Sequence, residues 1–186
     1  TLGGVWAVAG FIALIAGWMI MRALGIGPAG SLMAAGKLGE RERVILADFR
    51  GEVDSSLRFT VTEAFRADLS QSKNLNVMSA NAVRETLRRM ARSVSASVDY
   101  TVAREIATRE GIKAVIEGEV LSAGDRYLLS ARLVAAQTGE QLATFSESAD
   151  GLNDIIPAIS RLTKKIRAKT GESLRSIQNA RTLDKV

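Results

Sequence analysis

The side chains in this chain that could do chemistry are carboxylates and guanidinium or ammonium groups, because its 186 residues include neither cysteine nor histidine. That removes thiol and Ser–His nucleophiles, imidazole acid–base work, disulfides, and metal sites built on Cys or His. Among the carboxylates, Glu117 and Glu119 fall on the same side of an alternating strand pattern, a spacing that could hold a cation or share a proton. The plainer expectation is the wet face of a half-covered sheet, with Lys113 on the same pattern. Asp48 closes the first apolar strand, where α/β proteins often place ligand-binding groups, and is the candidate ligand edge. An aspartate there also serves to cap a turn or helix.

Basic residues gather twice. Arg84, Arg88, Arg89 and Arg92 share much of one helical surface, and Arg161, Lys164 and Lys165 crowd the final helix together with Arg167 and Lys169. Together, Arg84, Arg88, Arg89, Arg92, Arg161, Lys164 and Lys165 form the candidate interaction surface, suited to a protein partner or anionic headgroups. Cations late in a helix also complement its macrodipole. Twenty-five basic against twenty acidic residues leaves a formal charge of +5, and aromatic residues are only 5% of the chain. Base stacking is therefore poorly supplied, and nucleic acid is not the expected partner. Gly25-Ile-Gly-Pro-Ala-Gly30 has GxGxxG spacing, but it follows an apolar run rather than a strand, and Pro28 interrupts it. No catalytic, cofactor-binding or metal-ligating residues are expected, and a small-molecule ligand is left open.

The elements that must position these groups follow from periodicity. Arg43-Val-Ile-Leu-Ala-Asp-Phe49 reads as a buried strand ended by a turn over Gly51 to Asp54. Leu57, Val61, Ala64, Phe65 and Leu69 line one face of a helix. Asn76 to Ser79 gives a second strand, and Val83, Leu87, Met90 and Ala91 a second helix capped by Ser79 or Asn81. After a polar break at Ser93 to Ser97, Asp99 caps a third helix whose inner face is Val102, Ala103, Ile106 and Ala107. Gly111 sits at its C′ position. Alternation from Ile112 to Val120, a turn at Ser122 to Asp125, alternation from Tyr127 to Ala135, and a strand from Gln141 to Glu147 predict a meander. Leu152, Ile155, Ile156, Ile159, Leu162 and Ile166 stripe a last helix ending near Gly171.

The fold class is α/β (mixed α+β), with the order β-α-β-α-α-β-β-β-α. A parallel pair formed through a crossover joins an antiparallel meander in a mixed five-stranded sheet, helices covering one face. Ahead of it, Leu2 to Met21 is an apolar run without a charge, long enough as a helix to cross a hydrocarbon core of about 30 Å. Trp6 and Trp18 sit toward its two ends, as indoles at headgroups do. The expected organisation is a transmembrane helix over 1–24, a juxtamembrane linker over 25–40, an α/β domain over 41–178, and the start of a linker over 179–186. The chain opens at Thr1 and stops at Val186 without evident signals, so segments on both sides are expected.

Several stretches taken in order resemble a domain of bacterial membrane-bound signalling proteins. They are Val44-Ile-Leu-Ala-Asp-Phe49, Ala67-Asp-Leu-Ser-Gln-Ser72, Asn76-Val-Met-Ser79 and Leu87-Arg-Arg-Met90, followed by Ala103-Arg-Glu-Ile-Ala107, Arg109-Glu-Gly-Ile-Lys-Ala114, Glu117-Gly-Glu119 and Gly171-Glu-Ser-Leu174. The pattern is similar to the amino-terminal domain of TolB and to FlgO-like proteins. It also resembles domains that follow a serine/threonine kinase and one transmembrane helix, ahead of tetratricopeptide repeats. The resemblance implies a noncatalytic, membrane-anchored sensory or protein-interaction module in the periplasm, single-pass in the cytoplasmic membrane. A structural envelope or flagellum-associated assembly component, acting through self-association, is the alternative it implies. It carries over no catalytic residue and no cofactor, and any kinase activity would belong to residues upstream. Arg22, Lys37, Arg41 and Arg43 follow the apolar run and, by the positive-inside rule, would favour the cytoplasm instead.

Overall fold

The computed structural model describes residues 11, 13, 15–17, 19 and 31–180. Strand β1 (Glu42–Leu46) leads to helix α1 (Ser55–Leu69), β2 (Leu75–Val77), α2 (Ala80–Arg89) and α3 (Tyr100–Arg109). Strands β3 (Ala114–Ala123), β4 (Arg126–Ala135) and β5 (Gln141–Ala149) follow. A short 3₁₀ turn (Leu152–Asp154), helix α4 (Ile155–Lys169) and helix α5 (Leu174–Asn179) complete the order.

The sheet runs β2-β1-β3-β4-β5, with β1 parallel to both β2 and β3, and β3, β4 and β5 antiparallel neighbours. The expected five strands and their order are present. The expectation that helices cover one face is corrected: they cover both. From β1 the chain steps outward to β2, then back past β1 to β3. Two crossovers of the same hand in opposite directions place their helices on opposite faces.

The strand β1 shows the consequence in its alternation. Val44 and Leu46 join Val61 and Phe65 of α1 and Ile159 and Leu162 of α4 in one core. Ile45 and Ala47 join Leu87 of α2 and Val102 and Ile106 of α3 in the other. A strand buried on both faces reads as a continuous apolar run, as Val44 to Ala47 does. Each fully buried aliphatic or aromatic side chain contributes about 1.5–3 kcal/mol. Phe49 packs on Phe65 at 5.2 Å between ring centroids.

Local chemistry sets the helix starts. Asp54 Oδ1 accepts the Ser56 N–H at 2.7 Å, Ser79 Oγ accepts that of Ala82 at 3.2 Å, and Asp99 Oδ1 accepts that of Val102 at 2.9 Å. Gly111, past the end of α3, has φ +65°. At the last helix one detail differs from the periodic reading. Leu152, counted in the apolar stripe, is 62% exposed in the 3₁₀ turn, and the buried stripe begins at Ile155.

Residues 31–38, which the sequence places in the linker, dock onto the domain. Leu32 and Leu38 are buried in the first core, the Leu32 N–H donates to the Lys169 carbonyl at 2.9 Å, and Lys37 pairs with Glu140 at 2.8 Å. Gly171, at φ +94°, admits the segment closely: a Cβ there would lie 3.1 Å from Ser31 Oγ. Most of the Leu2 to Met21 run lies outside the described residues. Its described positions 11, 13, 15–17 and 19 are helical, and Phe11, Ile15 and Met19 are exposed. Among the described residues no helix is long and apolar enough to cross a membrane.

Candidate functional site

The carboxyl ends of parallel strands, where successive crossovers depart to opposite faces, leave a crevice that helices cannot fill. Here that crevice is a cleft of about 390 Å³ between α1, α2 and the 94–98 loop. Asp48 lies on its floor at the end of β1, Arg58, Phe59, Thr62, Glu63 and Arg66 come from α1, and Val83, Arg84 and Leu87 come from α2. Asp48 and Arg84, 36 positions apart, thus line one cavity.

Most polar groups of the cleft are engaged in holding it together. Asp48 Oδ2 accepts the Val98 N–H at 2.8 Å and the Ser97 hydroxyl at 3.1 Å, and the Asp48 N–H donates to the Val98 carbonyl at 2.8 Å. The capping role of a strand-end aspartate is therefore filled, and it fixes the loop that walls the cleft. Thr62 Oγ1 accepts the Phe49 N–H at 3.0 Å and donates to the Arg58 carbonyl at 2.9 Å. Arg58 Nη1 donates to the carbonyls of Gly51 and Val53, both at 2.9 Å. Arg66 pairs with Glu63 at 3.2 Å and donates to the Met78 carbonyl at 3.3 Å. Arg84 is exposed, and its partner is the neutral Asn81 Oδ1 within α2. Phe59 and Val94 are apolar and exposed on the cleft walls, at 69% and 41%.

The remaining basic residues serve contacts between elements. Arg88 meets Glu85 at 2.8 Å within α2, while Arg89 meets Glu110 at 2.5 Å and Arg92 meets Glu105 at 2.8 Å, tying α2 and the turn after it to α3. On the opposite face, Arg161 and Lys165 of α4 both reach Glu147 of β5, at 3.0 and 2.6 Å, and Arg161 also reaches Asp154 at 3.1 Å. Burial pushes the Glu147 carboxyl up, but hydrogen bonds from Lys165 and Arg161 outweigh it and hold the group below its ordinary range. Lys165 Nζ and Arg161 Nη2 further donate to the Ser146 and Ser148 carbonyls at 3.1 and 2.8 Å. Lys164 is half-buried on the same helix. The two clusters lie on opposite faces of the sheet and do not form one continuous surface.

Glu117 and Glu119 share a side, as their spacing requires, but neither is a free carboxylate. Glu117, 7% exposed, lies between Arg50 at 2.9 Å and Arg132 at 2.8 Å, and Glu119 meets Arg50 at 3.2 Å. Among the described residues no cluster of three or more acidic side chains is placed to hold a metal ion.

The sequence did not mark Phe59, Val94, Leu121 or Leu128 as exposed, and its periodicity counted Leu152 in a buried stripe. Phe59, Val94, Leu121, Leu128 and Leu152 all lie toward the sheet end that carries the carboxyl termini of β1 and β3. The signal was present in part, because Phe59 falls off the apolar stripe of α1. The docked segment 31–38 and the turn after α4 lie at the opposite end, beside the start of β1.

A two-faced, five-stranded mixed sheet with a cleft at the carboxyl end of its central parallel strand defines a small mixed α/β domain. No protein-family model matches the chain, and no curated protein matches it. Among solved structures, the LpoB C-terminal domain from Escherichia coli is similar with TM-score 0.53 and 19% identity, covering 63% of this chain and 92% of that one. The LpoB C-terminal domain from Salmonella enterica is similar with TM-score 0.52 and 15% identity, covering 63% and 89%. TolB from Acinetobacter baumannii follows with TM-score 0.47 and 15% identity, covering 72% of this chain and 29% of that one. At these identities the likeness to the LpoB domains establishes a shared fold.

Proposed function

We propose that this chain is a noncatalytic, membrane-anchored protein-interaction module, the extracytoplasmic part of a bacterial receptor-like protein. One observation carries the reading: the domain is polarised. The segment leading in from the apolar run, residues 31–38, and the segment leading out through α5 meet at one end. There Leu174 alone, among the described residues of the domain, is a large exposed apolar side chain, while Phe59, Val94, Leu121, Leu128, Leu152 and the cleft occupy the other end. A module held at one end and adhesive at the other suits engagement of a partner away from its anchor. The fold shared with the LpoB C-terminal domains is compatible with this reading. The sequence resemblance adds an upstream serine/threonine kinase or downstream tetratricopeptide repeats as the setting, with Leu2 to Met21 crossing the cytoplasmic membrane once.

Photo-crosslinking tests the surface. A benzoylphenylalanine at Leu121 or Leu152 in the complete protein should give a discrete adduct in cells, while one at Leu174 at the opposite end should not. Absence of any adduct from the far end would overturn the reading. Alkaline phosphatase and green fluorescent protein fused after Val186 test the side, and fluorescence without phosphatase activity would reverse it.

A specific feature also favours a second reading, self-assembly. β5 is a nine-residue edge strand, and such edges template pairing with another chain. Light scattering over a concentration series separates the two, because a monomer throughout would exclude assembly through this domain alone.

A further inference from the structure

We propose that the cleft at the end of β1 seats a short peptide segment of the partner, one that presents a large apolar side chain beside a carboxylate. The inference rests on the protein-interaction reading above and names what that surface would hold.

The chemistry of the walls selects this ligand. Phe59 and Val94 leave apolar area in water on walls whose deeper residues, Val83 and Leu87, are buried. An apolar side chain entering between them removes that area from water without disturbing the core. Polar recognition is scarcer. Asp48 and Thr62 are committed to the loop and to backbone groups, Arg66 meets Glu63 and the Met78 carbonyl, and half-buried Arg58 gives its Nη1 to two backbone carbonyls. Arg84 is the exposed cation of the cleft whose partner is neutral, in contrast to Arg88, Arg89 and Arg92, each facing a carboxylate. Arg84 can exchange Asn81 for a carboxylate and gain a charge-assisted pair.

Other ligands fit less well. A phosphate dianion would bring twice the charge of a carboxylate up to Asp48 and Glu63, which line the same cleft. The exposure of Phe59 and Val94 makes the cleft open rather than enclosed, as grooves that receive a peptide are. It also opens at the end of the domain away from residue 31.

The test is a ¹H–¹⁵N NMR titration of the full chain in zwitterionic micelles with capped dipeptide amides. N-acetyl-Leu-Asp-amide should shift the Val98 amide and the Arg84 Nε–H signal saturably. N-acetyl-Leu-Asn-amide and N-acetyl-Ala-Asp-amide should bind at least fivefold more weakly. Arg84→Gln should lower the Leu-Asp affinity to the Leu-Asn level while leaving the rest of the spectrum unchanged, which shows that the fold is intact. Absence of a saturable shift at these positions would overturn the proposal. So would equal binding of inorganic phosphate, which indicates a general anion site, or shifts produced only by anionic phosphatidylglycerol, which indicate a membrane surface. Adducts retained at Leu121 and Leu152 without peptide binding would remove this inference and leave the module reading standing; loss of both would remove both.

Discussion

Arg167 and Glu172, five residues apart across the end of α4, form a two-pronged ion pair with both side chains almost fully buried. Nε donates to Oε2 at 3.0 Å and Nη2 to Oε1 at 2.7 Å, and the side chains are 2% and 1% exposed. The Ser72 and Ser176 hydroxyls complete the carboxylate's partners, each at 2.7 Å. The pair sits in the turn after α4 and ties it to the Ser72 turn that follows α1 and to α5.

Glu172→Gln should therefore be costly. Removing one partner leaves the Arg167 charge buried without compensation, a loss of about 3–5 kcal/mol in urea unfolding. Burial pushes the Glu172 carboxyl up, but hydrogen bonds from Arg167, Ser72 and Ser176 outweigh it and bring the group from 4.5 to about 2. A folded-state value below the unfolded one contributes stability that is complete above pH 4.5 and disappears as pH falls toward 2. Unfolding midpoints followed through that window should decline in the parent chain and decline less in Glu172→Gln.

Asp48→Ala should loosen the cleft rather than the core. It leaves the Val98 N–H without its acceptor at 2.8 Å, a loss of about 1–3 kcal/mol. Hydrogen exchange at Val98 should accelerate while Val61 and Phe65 in α1 stay protected. Equal acceleration at both would contradict a local role for Asp48.

The docking of residues 31–38 predicts that Leu32→Ala destabilises the domain by about 2–5 kcal/mol, as truncation of a buried leucine does. A solvated linker residue would change stability by less than about 0.5 kcal/mol. Thermal unfolding of the full chain distinguishes the two outcomes.

Arg161 and Lys165 occupy the Ser146 and Ser148 carbonyls along the outer edge of β5. The double substitution Arg161→Ala/Lys165→Ala should uncover that edge and raise self-association, measured by sedimentation velocity over a concentration series. If the double variant associates no more than the parent, the two side chains do not guard the edge.

Gly51 is held at φ +139°, and a Cβ there would lie 1.8 Å from the Val120 carbonyl oxygen. Gly51→Ala should break the bridge between Arg50 and Glu119 and displace the carbonyl that receives Arg58. A loss of about 1–3 kcal/mol is expected, with altered signals at Arg58.

Periodicity alone gave the order of strands and helices, because a side chain's burial in a regular element depends on its spacing. The caps at Ser79 and Asp99 and the C′ glycine at 111 were legible for the same reason: each is satisfied within three or four residues. Val44 to Ala47 also announced a buried central strand. Its message that both faces are covered becomes clear only once β2 and β3 flank it on opposite sides.

Long-range pairing was not legible, since charge counts do not say which cation meets which carboxylate. Only the tertiary structure joins Arg161 and Lys165 to Glu147, ties Arg89 and Arg92 to α3, and leaves Arg84 beside a neutral partner in the cleft of Asp48. It likewise turns residues 31–38 from a presumed linker into part of the core, because Leu32 and Leu38 find apolar partners distant in sequence. Local spacing determines which elements form and which of their faces are apolar. The crossovers and contacts between distant segments decide where those faces meet, and so where a cleft is left open.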